Sequence, residues 1–554
     1  VLESTDSKVE RSSAFEPLRH PVFRRMWLAS LLSNFGLLIQ GVGAAWAMTE
    51  MSSGASMIAL VQTAGMLPMM LFALSAGAVA DTYDRRLVGL AALVLSLIGA
   101  AGLTISSWLG VLSPWLILVF TFVIGSGIAL FSPAWQASVS EQVPPSSMPS
   151  AISLTSISFN IARSFGPAIG GLIVAAGGAT AAFLVNALFF LPMIAVLALW
   201  RRVQEPPRLP PERLNRAVVS GVRYVVHSPA MRVIIVRTIL TASLGAIVLA
   251  LMPLIVRDQL LGTAETYGLM LGAFGVGAVF GAFGVARLRK RLGPENTVRL
   301  CTLASAIAML VMALSHVAWL TGAALIVSGA CWMIAVTIYN IGIQTMTPRW
   351  VAGRALAAFQ TSLAAGVAFG SWAWGMFAQS FGGDTALLVA AAATIVSLAA
   401  ALWLRLPQAR DMVQESDDMM DDPDVEMSLS ARSGPIVIEI EYRVPRHRAR
   451  AFYGVMQEVQ LSRQRNGAYG WSIARDVSDP ELWTERYHCP TWLDYLRQRN
   501  RPTQSEREIH NRAFEFHEGT EPLRIRRMLE RPFGSVRWRE DVRDTATRAV
   551  LPVH

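Results

Sequence analysis

Lysine is nearly missing from this sequence: Lys8 and Lys290 are the only lysines among 48 basic residues, and the rest are arginine. The bias has no functional reading of its own. Cysteine is scarce too, and Cys301, Cys331 and Cys489 show no metal-ligand spacing, which removes a disulfide framework and a zinc site. Two of them lie in apolar runs and read as small buried residues. Charged residues make up 16% of the chain against 53% apolar ones, and the mean hydropathy is +0.42. That is too apolar for a water-soluble chain of 554 residues and fits a protein that crosses a membrane many times. Acids are missing from the interior of every apolar run: Glu50, Asp81, Glu141 and Asp258 all stand near run ends. No cleavage site follows the first apolar run, which is too long for a signal peptide.

The net charge of +9 and the pI near 9.9 would admit a nucleic-acid partner, but that reading needs a basic stripe on a soluble domain. Here many of the basic residues flank apolar runs, so orientation in a bilayer accounts for much of the excess and no nucleic acid is expected. Apolar runs at 23–48, 55–80, 87–106, 114–139, 150–176 and 179–200 form a first set. Runs at 230–256, 267–285, 297–315, 319–346, 352–381 and 385–404 form a second. Each clears the roughly 20 residues that a helix needs to cross about 30 Å of hydrocarbon. The turns at 49–54, 107–113, 177–178, 316–318 and 382–384 hold no Arg or Lys, whereas those at 81–86, 201–229, 287–291 and 347–354 do. Basic loops stay on the cytoplasmic side. Twelve spans with both termini inside therefore fit best, although 140–149 has no basic residue and Arg257 stands on an outer turn.

One turn is distinctive. Gly77-Ala-Val-Ala-Asp81-Thr-Tyr-Asp84-Arg85-Arg86 lies between the second and third runs. Its charges cannot sit in hydrocarbon, where each costs about 2.5–3.5 kcal/mol on insertion scales. The spacing of Gly77, Asp81, Arg85 and Arg86 resembles the loop between spans two and three of the major facilitator superfamily, with Asp84 where that family usually has glycine. A fainter echo, Arg287, Arg289, Lys290 and Arg291, occupies the equivalent turn of the second half, with no counterpart of Asp81. The fifth run carries Gly166-Pro167-Ala-Ile-Gly170-Gly171, which resembles the fifth-span motif of drug and metabolite exporters of that superfamily. The resemblance implies export by alternating access and antiport, and a gating role for Gly77, Asp81, Arg85, Arg86, Gly166, Pro167, Gly170 and Gly171. The same glycines, read without it, permit close helix packing and a kink.

Polar residues inside the runs are the candidate solute ligands. Ser153, Ser156, Asn160 and Arg163 recur at steps of three and four, which puts them on one face of the fifth run with Arg163 near the midplane. Such an arginine must face a cavity or a partner. The resemblance places spans one, four, seven and ten around a central cavity, and so adds Asn34 and Gln40, Gln136, and Asn340 and Gln344 as substrate-binding candidates. Interhelical hydrogen bonding accounts for each of these amides equally well. Many proton-coupled exporters carry an arginine in span four, but here that stretch reads Phe-Thr-Phe-Val-Ile-Gly-Ser-Gly-Ile-Ala.

The segments outside the runs differ in character. Residues 1–22 read as a cytoplasmic arm and 201–229 as a basic, proline-rich connector between halves at 23–200 and 230–406, its 212–227 part either a helix on an anionic membrane surface or, equally well, a solvated linker. Between Asp411 and Glu426 there are eight acids and no base, so 407–434 reads as a flexible linker. Beyond it, 435–531 alternates like a soluble α+β unit of β-α-β-β-α-β order, which is ferredoxin-like, before a tail at 532–554. That unit resembles the antibiotic-biosynthesis monooxygenase type, and the whole layout resembles the enterobactin-exporter and macrolide-efflux group. In this unit Trp471, His447, His488 and His517 are the candidates for chemistry; their scatter shows no cofactor spacing, and Trp471 reads as core.

The expectation is an all-α membrane protein of the bacterial inner membrane, with twelve helices in two halves plus a ferredoxin-like domain. It would be a non-enzymatic exporter of a siderophore or amphipathic drug by proton antiport, with no cofactor and no metal. The linker would transmit little force and let the tail domain dock under the transporter or pair with a second copy; covering an open sheet face around Trp471 favours the pair. An ion-coupled importer and a transporter fused to a monooxygenase are the rivals.

Overall fold

The computed structural model describes residues 15–51, 54–144, 147–200, 214–348, 351–407, 423, 425–427, 429–519 and 521–530. Most of the terminal arm, the proline-rich part of the connector, most of the acidic linker and the tail lie outside them. Among the described residues there are ten helices of 21 residues or more: α1 (Pro21–Met51), α2 (Ala55–Thr82), α3 (Arg85–Trp108), α4 (Pro114–Ser138), α5 (Met148–Leu199), then, after the short α6 (Leu214–His227), α7 (Pro229–Asp258), α8 (Ala264–Leu314), α9 (Ala318–Thr345), α10 (Ala352–Phe381) and α11 (Gly383–Trp403). Nine of them are long and apolar enough to cross a membrane.

Two of these helices cannot be single rods in a bilayer. At 1.5 Å per residue, α5 and α8 would each extend beyond about 75 Å. Each is bent at one glycine that holds a backbone other residues rarely adopt: Gly178 at φ 70° and Gly293 at φ 77°. The sequence placed a basic turn at 287–291; the structure keeps those residues helical and moves the bend to Gly293. Likewise α2 continues through Asp81 and Thr82, leaving only Tyr83 and Asp84 between α2 and α3. Pro68, Pro133 and Pro253 sit inside helices, where neighbouring helices can accommodate the freed carbonyls.

The chain forms two compact units. The first holds 1–218, 233–342 and 356–406. Within it α1 lies along α5, α2 and α3 each along α4, α8 along α11, and α5 against α8. Its core draws on every one of these helices, from Met26 and Met48 through Phe183 and Phe190 to Leu251 and Leu387, all with no exposed surface.

The second unit gathers 219–232, 343–355 and 407–554. Its sheet has strands β1 (Ile436–Arg443), β2 (Tyr469–Arg475), β3 (Leu482–Cys489) and β4 (Arg524–Leu529) in the order β2-β3-β1-β4. Pairing is antiparallel, with Ile436 opposite Cys489 and Leu529. Helix α12 (Ala449–Arg465) joins β1 to β2. Two helices, not the expected one, join β3 to β4: α13 (Trp492–Asn500), capped by Thr491, and α14 (Gln504–Phe514), opened by a Thr503–Glu506 capping box. One face of the sheet buries Ile436, Ile438, Ile440 and Tyr442 against Phe452, Met456 and Val459 of α12.

Two expectations about this unit change. The open sheet face is not an apolar patch around Trp471. It carries ion pairs, Arg526 to Glu441 at 2.9 Å and Arg486 to Glu439 at 3.8 Å, while the Trp471 indole on the helix side donates to Glu485 Oε1 at 3.0 Å. Burial of apolar surface therefore gives no reason for a second copy to cover it. Nor does the domain hang on its linker alone. Arg223 Nη1 of α6 donates to the Gly467 carbonyl at 3.1 Å, Tyr224 is buried, and a side chain on Gly221 would meet Arg354 Cβ at 2.7 Å. The connector helix and the 343–355 segment are packed parts of this unit. The other face of α6 leaves Val219, Val222 and Val226 exposed, an apolar stripe one helical turn apart.

Candidate functional site

The seam between α5 and α8 joins the two halves of the first unit, and both helices line it with small residues. A Cβ on Gly171 would lie 2.8 Å from Gly268 Cα, and one on Gly275 would lie 2.6 Å from the Arg163 carbonyl. Ser164 Oγ donates to the Gly275 carbonyl at 3.4 Å. Arg163, half-buried on this seam, sets its guanidinium over the Phe274 ring at 5.8 Å. Among the described residues it has no hydrogen bond or ion pair. Other contacts also join the halves, two of them near the ends of α1 and α7 and one between α2 and α10. Trp46 stacks on Tyr267 at 6.1 Å, Arg257 Nη1 donates to the Thr49 carbonyl at 2.9 Å, and Thr63 donates to the Ala368 carbonyl at 2.9 Å.

The other candidates fall in different places. Asn160 is half-buried one turn below Ser164 on α5, and its amide donates to its own helix at Ser156 O, 2.9 Å away. Gln136 is exposed and donates to Ser132 at 3.1 Å. Asn34 and Asn340 are half-buried, whereas Gln344 is exposed and belongs to the second unit. Gln40 is different: it shares the helix face of Gly36 and Gly43, which packs on Asn186 and Ala182 in the second arm of α5. It is 2% exposed, so it stands inside a helix interface and not on an open wall. Gly166 and Gly170 turn toward Leu38 and Ile39 of α1, within the N-terminal half, and Pro167 is buried beside them.

The charged turn is built from helix ends. Asp84 caps α3, accepting from Arg86 N at 2.8 Å and Leu87 N at 3.3 Å, so the residue that departs from the family pattern is the capping acid. The side chain of Asp81 lies outside the described residues. Arg85 donates to the Ala137 carbonyl at 3.0 Å and to Glu141 at 2.9 Å, and Arg86 to the carbonyls of Leu197 and Ala198. Both arginines thus neutralise the carbonyl ends of α4 and α5, where the helix dipoles favour a cation. A side chain on Gly77 would meet nothing within 4 Å. Asp84→Ala should lower the apparent unfolding temperature in detergent, in line with a lost cap worth about 1 kcal/mol, and Asp84→Asn should not. Equal temperatures for the two variants would count against capping.

Sequence reading missed a second charged cluster. Glu295, two residues past the Gly293 bend, accepts from Arg237 Nη1 at 2.6 Å, Arg299 Nε at 2.9 Å and Leu406 N at 2.9 Å. Arg299 also donates to the Ala401 carbonyl at 3.1 Å, as Arg86 does to the end of α5. The halves therefore repeat one device: a helix-starting acid and an arginine that ties the end of the last helix of the half.

In the second unit Trp471 and His517 are tied into the fold. Buried Glu485 is saturated by Tyr442 Oη at 3.0 Å, Arg463 Nε at 3.1 Å and Trp471. Burial pushes the Cys489 thiol up to about 12, which leaves it protonated and inert. His510, not among the candidates, is held well below the usual imidazole range by burial and then by Arg463 and Arg465. His517 bridges the Arg443 N–H and the Glu521 carbonyl. Among the described residues no group of three or more His, Cys, Asp or Glu could hold a metal.

Long apolar helices in two contacting halves, with an arginine at the seam, define a multi-pass membrane transporter. The chain belongs to the family described as transmembrane secretion effector, which it matches over residues 12–533, and is a transporter of the major facilitator superfamily and not an enzyme. The multidrug efflux pump Tap of Mycobacterium bovis is 27% identical over 356 residues, 62% of this chain and 84% of that protein. The enterobactin exporter EntS of Shigella flexneri is 26% identical over 340 residues, 60% of this chain and 80% of that protein. Among solved structures, an inward-facing, unoccupied bacterial homologue of the human lysosomal transporter Spinster aligns with a TM-score of 0.58 at 14% identity, over 72% of this chain and 98% of that one. A D-xylose–proton symporter aligns with a TM-score of 0.53 at 15% identity, over 70% and 98%. These structural likenesses carry the fold alone.

Proposed function

We propose that this chain exports a small organic molecule, a siderophore or an amphipathic drug, from the bacterial cytoplasm by alternating access coupled to proton antiport. The observation that carries the reading is Arg163: a guanidinium on the seam between two rocking halves, with an aromatic face as its neighbour and no countercharge among the described residues. It suits an anionic or carbonyl-rich solute. The names of Tap and EntS support export as the direction. Counting α5 and α8 as two spans each and including α10 supports twelve spans, and an even number with basic turns on one side supports both termini inside. On that topology the Trp46–Tyr267 and Arg257–Thr49 contacts close the outer end. The strand order of the C-terminal unit supports a ferredoxin-like regulatory domain that senses or restrains α6.

Two measurements test this. A bacterial host lacking its own exporters, given this chain, should accumulate less of at least one compound in a panel of catecholate siderophores and amphipathic drugs; unchanged accumulation of all of them rejects export. In a chain with its three cysteines replaced by serine, Trp108→Cys should react with an impermeant thiol reagent from outside and Tyr83→Cys only after permeabilisation. Labelling of the Tyr83 variant in intact cells would overturn the topology.

A further inference from the structure

Helix α6 has two faces, and the packing of its unit uses one of them. Gly221, Tyr224 and Val225 are buried, and Arg223 beside them is bonded to the Gly467 carbonyl. Val219, Val222 and Val226 are exposed. At about 100° per residue these three fall within about 60° of one another, on the side away from the buried residues. We propose that the valine face rests on the anionic headgroup surface of the cytoplasmic leaflet. The helix then lies between lipid and the C-terminal domain on which its other face packs. The choice of leaflet rests on the topology proposed above; the docking itself does not.

Three observations select a lipid surface. The first is continuity. Helix α6 ends at His227, and α7, which is long and apolar enough to cross a membrane, begins at Pro229. Ser228 between them is hydrogen-bonded to both sides: its N–H donates to the Val225 carbonyl at 3.3 Å, and its carbonyl accepts from Arg232 N at 3.0 Å. One residue spans at most about 3.6 Å, so the last turn of α6 stays beside the point where α7 enters the bilayer. The second observation is length. The 30 residues of α7 measure about 45 Å against about 30 Å of hydrocarbon, so part of the helix stands among headgroups. Exposed Arg232 on its first turn marks one such end. The third is charge. Residues 201–232 hold seven arginines and two acids, and α6 itself holds no acid. A basic segment beside a span is drawn to anionic lipid, and an apolar stripe next to it enters the boundary between headgroups and acyl chains. A protein partner fits less well. Three valines fall far short of the roughly 800 Å² that each member of a stable protein pair buries. A lipid surface needs no such area, because the joint at Ser228 already holds the helix at the leaflet and makes the contact intramolecular in effect.

The test uses full-length protein with its three cysteines replaced by serine, in nanodiscs of phosphatidylcholine with or without phosphatidylglycerol. A nitroxide is placed at Val219→Cys, Val222→Cys or Val226→Cys, and at Val477→Cys, on the turn between β2 and β3, as the water reference. Collision with oxygen, which concentrates in lipid, is compared with collision with a water-soluble nickel chelate. In anionic discs the three α6 sites should favour oxygen and Val477 the chelate. Pure phosphatidylcholine, or high salt, should move the α6 sites toward the Val477 value. Val222→Glu, a change on an exposed face, should remove the oxygen preference at Val219→Cys and Val226→Cys while the melting temperature in detergent stays the same. Preference for the chelate at all three sites in anionic discs would mean a solvated helix and overturn the proposal. Sites shielded from both reagents would mean a protein cover, from a second copy or from residues 201–213, and overturn it too. Equal oxygen preference in both lipids would remove the anionic headgroup from it. If the α6 sites favour oxygen and Tyr83→Cys is labelled in intact cells, the docking stands and the topology falls.

Discussion

Arg163→Ala is expected to abolish uphill export while leaving the protein at least as stable. The two effects point in opposite directions for a physical reason. A guanidinium near the middle of a span costs about 2.5–3.5 kcal/mol on insertion scales. The Phe274 ring at 5.8 Å returns about 0.5–2 kcal/mol at most. With no hydrogen bond or ion pair to Arg163 among the described residues, the rest of the cost is not recovered inside this state. Alanine removes that cost, so melting in detergent should be unchanged or raised, whereas an arginine held for structure would melt lower on removal. Arg163→Lys should not restore export, because an ammonium on a flexible stem cannot present two parallel donors to a carboxylate or a pair of carbonyls. Export by the alanine variant at the wild-type rate would remove Arg163 from the mechanism, and full rescue by lysine would reduce its role to charge alone. Both are read from compound accumulation at matched expression.

What the sequence shows of this protein is what period and charge can carry. Apolar runs of about 20 residues showed where the long helices lie, because the bilayer leaves the backbone few alternatives. Alternation from Ile436 to Val444 gave β1, and the Thr491 and Asp494 spacing gave the start of α13. The misses share a cause: each depends on contacts between residues far apart in the chain. Glu295 looks like an ordinary loop acid after four basic residues, and only folding brings Arg237, 58 positions earlier, to 2.6 Å from it. Arg223 reads as one more connector base until it meets Gly467, 244 positions on. Asp84 looked like a departure from a motif, although an acid before two arginines at a helix start is also a cap signal that local reasoning can find. Gln40 and Arg163 are both polar residues in apolar runs, yet one is sealed against α5 and the other is on the seam. Periodicity fixes which residues share a face, but not what that face meets.

Gly268→Leu is expected to abolish export by a route unlike that of Arg163, by forbidding one of the two states. A Cβ at Gly268 would lie 2.7 Å from Gly171 Cα and 2.7 Å from the Pro167 carbonyl, both backbone atoms on the opposing half. Contacts under 3 Å to backbone cannot be relieved by a side-chain rotamer, and overpacking a tight interface costs about 1–3 kcal/mol, here for a methyl alone. An alternating transporter has states that differ by only a few kcal/mol. A penalty of that size on the outer-closed state should therefore reverse the population and hold the outer end open. Spin labels at Leu109→Cys, just past α3, and Trp319→Cys, at the start of α9, in full-length protein with its own cysteines replaced by serine, should then report the wider distance. Gly268→Ala should show the same shift in smaller measure, and Gly65→Ala, whose added Cβ would meet only Thr121 Cγ2 at 3.9 Å, should show none. Normal export by Gly268→Leu would mean that the halves do not need this approach to complete the cycle, and the α5–α8 seam would lose its place as the pivot of the protein.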